Sequence, residues 1–178
     1  MRDFFLTSDR LEFSHWSEED RDLAHRLWGD PQVSRYICAA GVFTPEEIDA
    51  RLELEMTNQA KYSFSYWPVF TLEGEFVGCC GLRPHGEGKV YEAGIHLLPG
   101  YWQKGYGREA MTAVLGYAFT VLGAQAIFAG HNPNNTPSAG LISSLGFTCL
   151  GDEFYPPTGL YHPSYELKRP SGDGERGA

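Results

Sequence analysis

Pro99-Gly100-Tyr101-Trp102-Gln103-Lys104-Gly105-Tyr106-Gly107-Arg108-Glu109-Ala110 lies near the middle of the chain. An apolar, strand-like run, Ala93 to Leu98, leads into it, and a long amphipathic helix leaves it. The first N–H groups of any helix lack intrahelical acceptors, and a glycine-bearing turn leaves them uncovered. Those donors and the positive end of the helix dipole favour a phosphate or pyrophosphate. The stretch therefore predicts a phosphorylated ligand held at mid-chain.

Downstream, Tyr106, Ala110, Ala113, Val114, Tyr117, Ala118 and Val121 share one helical face. Ala126 to His131 reads as a short buried strand, and Pro137 to Leu145 as a second helix stopped by Gly146. Phe147 to Leu150 and His162 to Lys168 read as closing strands around a Pro- and Gly-containing loop. Upstream, Phe64 to Leu72 and Glu75 to Leu82 form a hairpin about Glu73-Gly74. After a loop at Pro84 to Gly88, Val90 to Leu98 completes an antiparallel meander that feeds the glycine turn. Leu6 to Phe13 reads as a first strand. Ser17 can cap a helix over Glu18 to Trp28, ended by Gly29-Asp30-Pro31. Thr44-Pro45-Glu46-Glu47 is a capping box opening a helix to about Met56. The expectation is one α/β (α+β) domain over residues 1–168, followed by a polar, disordered tail at 169–178.

The 178-residue length suits one domain with a sizeable core. A net charge of −9 argues against nucleic acid and weakly favours a cationic partner such as an amine. Cys38, Cys79, Cys80 and Cys149 contain no CxxC pair, and Cys79 and Cys80 would face opposite sides of a strand. With no apolar signal core after Met1, a reduced cytoplasmic protein is expected. Ala110 to Gly130 carries no charge and is long enough to cross a bilayer, but Gly123-Ala124-Gln125 breaks it into a core helix and a strand. No membrane partner is expected, and no metal-ligand cluster is apparent.

Three readings compete for the turn itself. Gly105 to Ala110 fits G-x-G-x-x-A, the dinucleotide fingerprint. It follows a meander, however, and Ala124 to Gly130 offers no acidic residue for a ribose. A Walker loop fails because Tyr106 stands where Lys is required. A tight turn with no ligand would use the same glycines.

The wider pattern resembles the GNAT acetyltransferases, in particular their RimJ/RimL-type branch. Tyr101-Trp102-Gln103-Lys104-Gly105-Tyr106 looks like that branch's turn, with Trp102 at the family's Arg/Gln position. Thr7 to Leu11, Asp30-Pro31-Gln32-Val33, Phe76 to Leu82, Asn135-Thr136-Pro137-Ser138, Leu145-Gly146-Phe147 and Gly159 to Pro163 resemble its other segments. The resemblance spans about residues 5 to 168. It implies a mostly antiparallel sheet of six to seven strands, about four helices, and a splayed strand pair that receives pantetheine.

The resemblance further implies acetyl transfer from acetyl-CoA to a primary amine, a small molecule or a protein N-terminus, by direct attack. Backbone N–H groups over Gln103, Lys104, Gly105, Tyr106, Gly107 and Arg108 would hold the CoA pyrophosphate. Strand edge at His96, Leu97 and Leu98 would pair with pantetheine, and Asn135 would bond its arm. Glu92 is the first candidate for the general base, and His96 shares its face by alternation. His131 and His162 are weaker candidates, His162 fitting better in the acceptor pocket. The family's usual thiolate-donor tyrosine is replaced by Ile142, so Ser138 takes that role, as in RimL-like patterns. Aromatic segments Tyr36 to Phe43 and Phe154 to Tyr161 would face the acceptor. A monomer or homodimer is expected. The runner-up is a non-catalytic acyl-CoA sensor of the same fold.

Overall fold

The computed structural model describes residues 2–171. Most of the expected tail, 172–178, lies outside the described residues. Arg169 is still tied in, its N–H donating to the Gln125 carbonyl at 2.9 Å.

The chain opens with β1, Leu6–Thr7, and β2, Leu11–Phe13, paired antiparallel. The stretch expected as one strand thus folds back at Ser8 to Arg10, where the Ser8 N–H reaches the Leu11 carbonyl at 2.8 Å. A 3₁₀ turn at Glu18–Asp20 leads into α1, Arg21–Trp28. A short α2, Pro31–Ser34, follows, capped by the Asp30 side chain. The α3 helix, Pro45–Tyr62, begins with the predicted capping box, in which the Thr44 N–H donates to Glu47 at 2.8 Å. It runs past Met56 because Gln59, Lys61 and their neighbours favour helix, and it stops at Ser63, whose φ is +65°.

The meander comprises β3, Tyr66–Thr71, β4, Phe76–Pro84, and β5, Val90–Leu97. Helix α4 spans Tyr106–Thr120. Then come β6, Ala126–Gly130, α5, Thr136–Ser144, β7, Thr148–Tyr155, and β8, Leu160–Lys168. The last two strands extend well into the expected loop, leaving residues 156–159 as its tip.

These strands form a single sheet in the order β1-β2-β3-β4-β5-β6-β8-β7, antiparallel except for β5 and β6. The count is eight, not six or seven, because Leu6 to Phe13 contributes two strands. One face buries Ala110, Met111 and Val114 of α4 and Ile142 of α5. The other buries Ala24 and Leu27 of α1 and Ile48 and Leu52 of α3. Cys79 and Cys80 fall into these opposite cores, as alternation requires. Burial pushes the Cys79 thiol up to about 12 and Cys80 well above its ordinary value, so both are inert apolar fillers. On α4 the buried stripe takes in Met111 and Leu115, whereas Val121, one residue past the helix, is exposed. Among the described residues no helix is long and apolar enough to cross a membrane.

Candidate active site

The turn before α4 is shaped by two left-handed residues, Gln103 at φ +57° and Gly105 at φ +82°. Glycine adopts that conformation freely, whereas Gln103 is strained there. Side chains cap α2, α3 and α5 through Asp30, Thr44 and Asn135, but none caps α4. The N–H groups of Tyr106, Gly107 and Arg108 are therefore left for an external acceptor. From behind, Arg10 pins the turn. Its Nη1 donates to the Lys104 carbonyl at 3.1 Å, its guanidinium lies 4.3 Å from the Tyr106 ring centre, and its Nε meets Glu109 at 2.7 Å. The Lys104 ammonium folds back onto the Gly100 carbonyl at 2.7 Å, so Lys104 and Tyr106 offer the turn their backbone only.

In front of these amides lies a cavity of about 640 Å³. Gln103, Gly105, Gly107 and Arg108 line one end, and Asn135 and Ser138 line its flank. The cavity penetrates the sheet because β5 and β6 part. They pair only through Val90, Tyr91 and Glu92, facing Ala126, Ile127 and Phe128. Beyond that, β5 stays with β4 as far as Leu97, and β6 stays with β8 as far as Gly130.

The free edge of β5 differs in detail from the expected His96 to Leu98. The His85 N–H reaches the Val90 carbonyl at 3.2 Å, and the Leu98 N–H reaches the Val77 carbonyl at 2.9 Å. Strand alternation then turns the backbone of Glu92, Gly94, His96 and Leu98 toward β4. Ala93, Ile95 and Leu97 face the gap. Trp102 partly closes it, its indole N–H donating to the Leu97 carbonyl at 2.8 Å. Leu98 is buried in the core instead of lining the cavity.

Glu92 projects into the cavity from the α1/α3 face of β5. Burial pushes its carboxyl above the ordinary value, against the opposing pull of Arg83, His85 and the Tyr66 hydroxyl. A carboxylate so placed is a stronger base. The Tyr66 ring can cross β5 here because residue 94 is glycine: a Cβ there would sit 2.2 Å from the Tyr66 hydroxyl. His96 shares the face. Burial, then Arg51 and Arg83, push it well below its ordinary value, and its Nδ1 accepts the Trp28 indole N–H at 3.2 Å. It is a neutral hydrogen-bond donor through Nε2, not a base.

A buried neutral histidine makes stability depend on pH. The unfolded chain takes up a proton below about 6.5, while the folded chain resists it. Stability is full above that value and declines as pH falls toward the depressed folded value. Burial lowers His15 and His162 in the same direction. The thermal midpoint should drop between pH 7 and pH 5, and His96→Gln should flatten that decline.

The other expected residues fall as follows. The Asn135 carbonyl oxygen accepts the Ser138 N–H at 3.4 Å, capping α5, which leaves its amide nitrogen for a ligand. Ser138 is half-buried on the cavity flank. His131 also lines the cavity, bonded to the Tyr165 hydroxyl at 3.1 Å, and His162 is bonded to Thr158 at 2.7 Å. The two aromatic segments meet: Tyr36 and Tyr155 line the cavity, and the Ala39 N–H donates to the Pro157 carbonyl at 2.9 Å.

The sequence reading missed a buried polar cluster behind Glu92. Glu55, fully buried, accepts the Tyr66 N–H at 2.9 Å and pairs with Arg83. Arg51 and Arg83 both reach the cavity wall. A signal existed: Glu55 lies on the helical stripe of Ile48 and Leu52, where a carboxylate needs a partner. Among the described residues there is no group of three His, Cys, Asp or Glu able to hold a metal.

An eight-stranded sheet split at its single parallel pair, above an uncapped helix start, defines an acetyltransferase fold. Residues 10–148 match the family model of the acetyltransferase (GNAT) domain, and the chain belongs to that family. It is 32% identical over 146 residues to the uncharacterized N-acetyltransferase p20 of Bacillus licheniformis, covering 80% of this chain and 81% of that one. An acetyltransferase (GNAT family) from Bacillus anthracis superposes with a TM-score of 0.80 at 26% identity, covering 93% of this chain and 98% of that one. A Vibrio cholerae spermidine N-acetyltransferase, solved with CoA and spermine, shares the fold at a TM-score of 0.76 and 18% identity, covering 91% of this chain and 97% of that one.

Proposed function

We propose that this protein transfers an acetyl group from acetyl-CoA to a primary amine, on a small molecule or a protein N-terminus, in the manner of the RimJ/RimL-type branch. The observation that carries the reading is the alignment of three features along one cavity: uncapped α4 amides, the free β5 edge, and the raised Glu92 carboxyl. The cavity lining supplies polar and apolar partners of the kinds a CoA thioester requires. Amides over Gln103 to Arg108 suit a diphosphate. Ala93, Ile95 and Leu97 offer strand-like partners to pantetheine amides, and the Asn135 amide nitrogen offers a further donor.

An alkyl amine has a pKa of about 10.4, so only about one molecule in 2,500 is neutral at pH 7. Glu92 takes the amine proton as the nitrogen attacks the thioester carbonyl carbon. The C–N bond forms, the C–S bond breaks, and the electron pair leaves on sulfur. Ser138 donates a hydrogen bond to that departing thiolate. Ser138→Ala should lower kcat by roughly tenfold, the scale of one hydrogen bond to a charged group, with little change in KM for acetyl-CoA.

The test is acetyl-CoA-dependent thiol release against a broad amine panel, with calorimetry of acetyl-CoA alongside. Release with at least one amine supports the transferase. Binding without turnover across the panel favours a non-catalytic acyl-CoA sensor.

A further inference from the structure

The polar cluster behind Glu92 holds an imbalance that bears on the acceptor. Arg51 lies on α3 among buried residues, yet its guanidinium forms no salt bridge or hydrogen bond to any described residue. Its Nε is sealed from solvent without a partner. The group is held by aromatic faces instead, 5.0 Å from the Trp28 ring centre and 5.6 Å from that of Phe43. Glu55, one helical turn along, spends its two oxygens on the Tyr66 N–H and on Arg83 and makes no hydrogen bond to Arg51. Arg83 also keeps an unpartnered, sealed Nε. Both arginines line the cavity, as do Tyr66 and His96. His96 presents Nε2–H there, since Nδ1 is occupied by Trp28.

This wall is thus rich in donors and carries a guanidinium whose charge has no partner. A buried cation left alone is costly, and a planar guanidinium matches a carboxylate through paired N–H bonds. Glu55 and Glu92 answer the charge of Arg83, so the guanidinium left without a contact on this wall is that of Arg51. A polyamine acceptor would bring a positive charge against Arg51.

We propose that the acceptor amine carries a carboxylate, held by Arg51 with His96 Nε2 as a further donor, so that the substrates are small amino acids and not polyamines. This rests on the transferase reading above and narrows it. The carboxylate anchors one end of the acceptor beyond Glu92 and leaves its amino group facing that base. The product is an N-acetyl amino acid.

The experiment compares thiol release with the proteinogenic amino acids, their carboxamides, putrescine and spermine. At least one acid should exceed its own carboxamide in kcat/KM by roughly tenfold or more, the scale of a lost charged hydrogen bond. In Arg51→Gln that acid-to-amide ratio should fall toward one through a raised KM. Arg51→Lys, which keeps the charge and the packing stem, should recover part of it, and circular dichroism checks that each variant is folded. Carboxamides or polyamines used as well as the acids, or a ratio unchanged in Arg51→Gln, would overturn the proposal while leaving the transferase standing. If no amine is acetylated, the transferase reading fails by itself. The subsite is then judged by thermal stabilisation with N-acetyl amino acids against their amides. Stabilisation by the acids alone, lost in Arg51→Gln, supports it, and equal or absent stabilisation overturns it.

Discussion

Glu92→Gln should lower kcat for acetyl transfer by roughly 10²- to 10⁴-fold, the range for loss of a positioned general base. The substitution keeps the size and planarity of the side chain, so its neighbours Tyr66 and His85 stay packed. Acetyl-CoA affinity should not change, because Glu92 lies on the α1/α3 face of β5, away from the α4 amides. A second signature separates a base from a structural carboxylate. In the wild type, kcat/KM should fall as pH drops through the raised Glu92 value, because the protonated carboxyl cannot accept the amine proton. In the variant the break at the Glu92 value should disappear, leaving only the steady slope set by the fraction of neutral amine. Thiol release measured from pH 5 to pH 9 reads both effects, and near-normal turnover with the break intact would remove Glu92 from the role.

Gly107→Asp should weaken acetyl-CoA binding by roughly a hundredfold, since two like charges in a partly buried site repel by a few kcal/mol. Residue 107 is the second helical position of α4. A carboxylate there would sit among the uncapped amides and compete for the place proposed for a diphosphate. The fold should not suffer, because an acidic residue in the first turn favours the helix. The thermal midpoint should therefore hold or rise while affinity collapses, a combination that misfolding cannot produce. Gly107→Ala supplies the control. Its Cβ would meet Leu141 at 3.6 Å and Leu97 at 3.7 Å, ordinary contacts, so its affinity loss should stay under about tenfold. Calorimetry with acetyl-CoA and a melting curve test both variants.

The order of elements was readable because its signals are local. Thr44-Pro45-Glu46-Glu47 announces a capped helix, Glu73-Gly74 a hairpin, and Gly105-Tyr106-Gly107 a strand-to-helix turn, each through the conformational needs of a few residues. What escaped depends on pairing at a distance. The split of Leu6 to Phe13 is set by the anchoring of Ser8 and Arg10 to Glu109, about a hundred residues away, at 2.6 and 2.7 Å. Which backbone edge of β5 is free depends on its register with β4, which periodicity cannot reveal. Glu92 was visible from its strand position, but its raised carboxyl owes to burial, which outweighs the opposing pull of Arg83 on β4 and of the Tyr66 hydroxyl on β3. The Arg51, Glu55 and Arg83 group joins α3 to β4 and exists only once the two are packed.

The proposed transferase depends on main-chain amides at the start of α4 gripping the diphosphate of coenzyme A. A crystal structure with acetyl-CoA bound tests this most directly. The diphosphate oxygens should lie within about 3.2 Å of backbone nitrogens between residues 103 and 108, with the thioester in the β5/β6 gap beside Glu92. A diphosphate seated elsewhere on the protein, with those amides left to solvent, would contradict it.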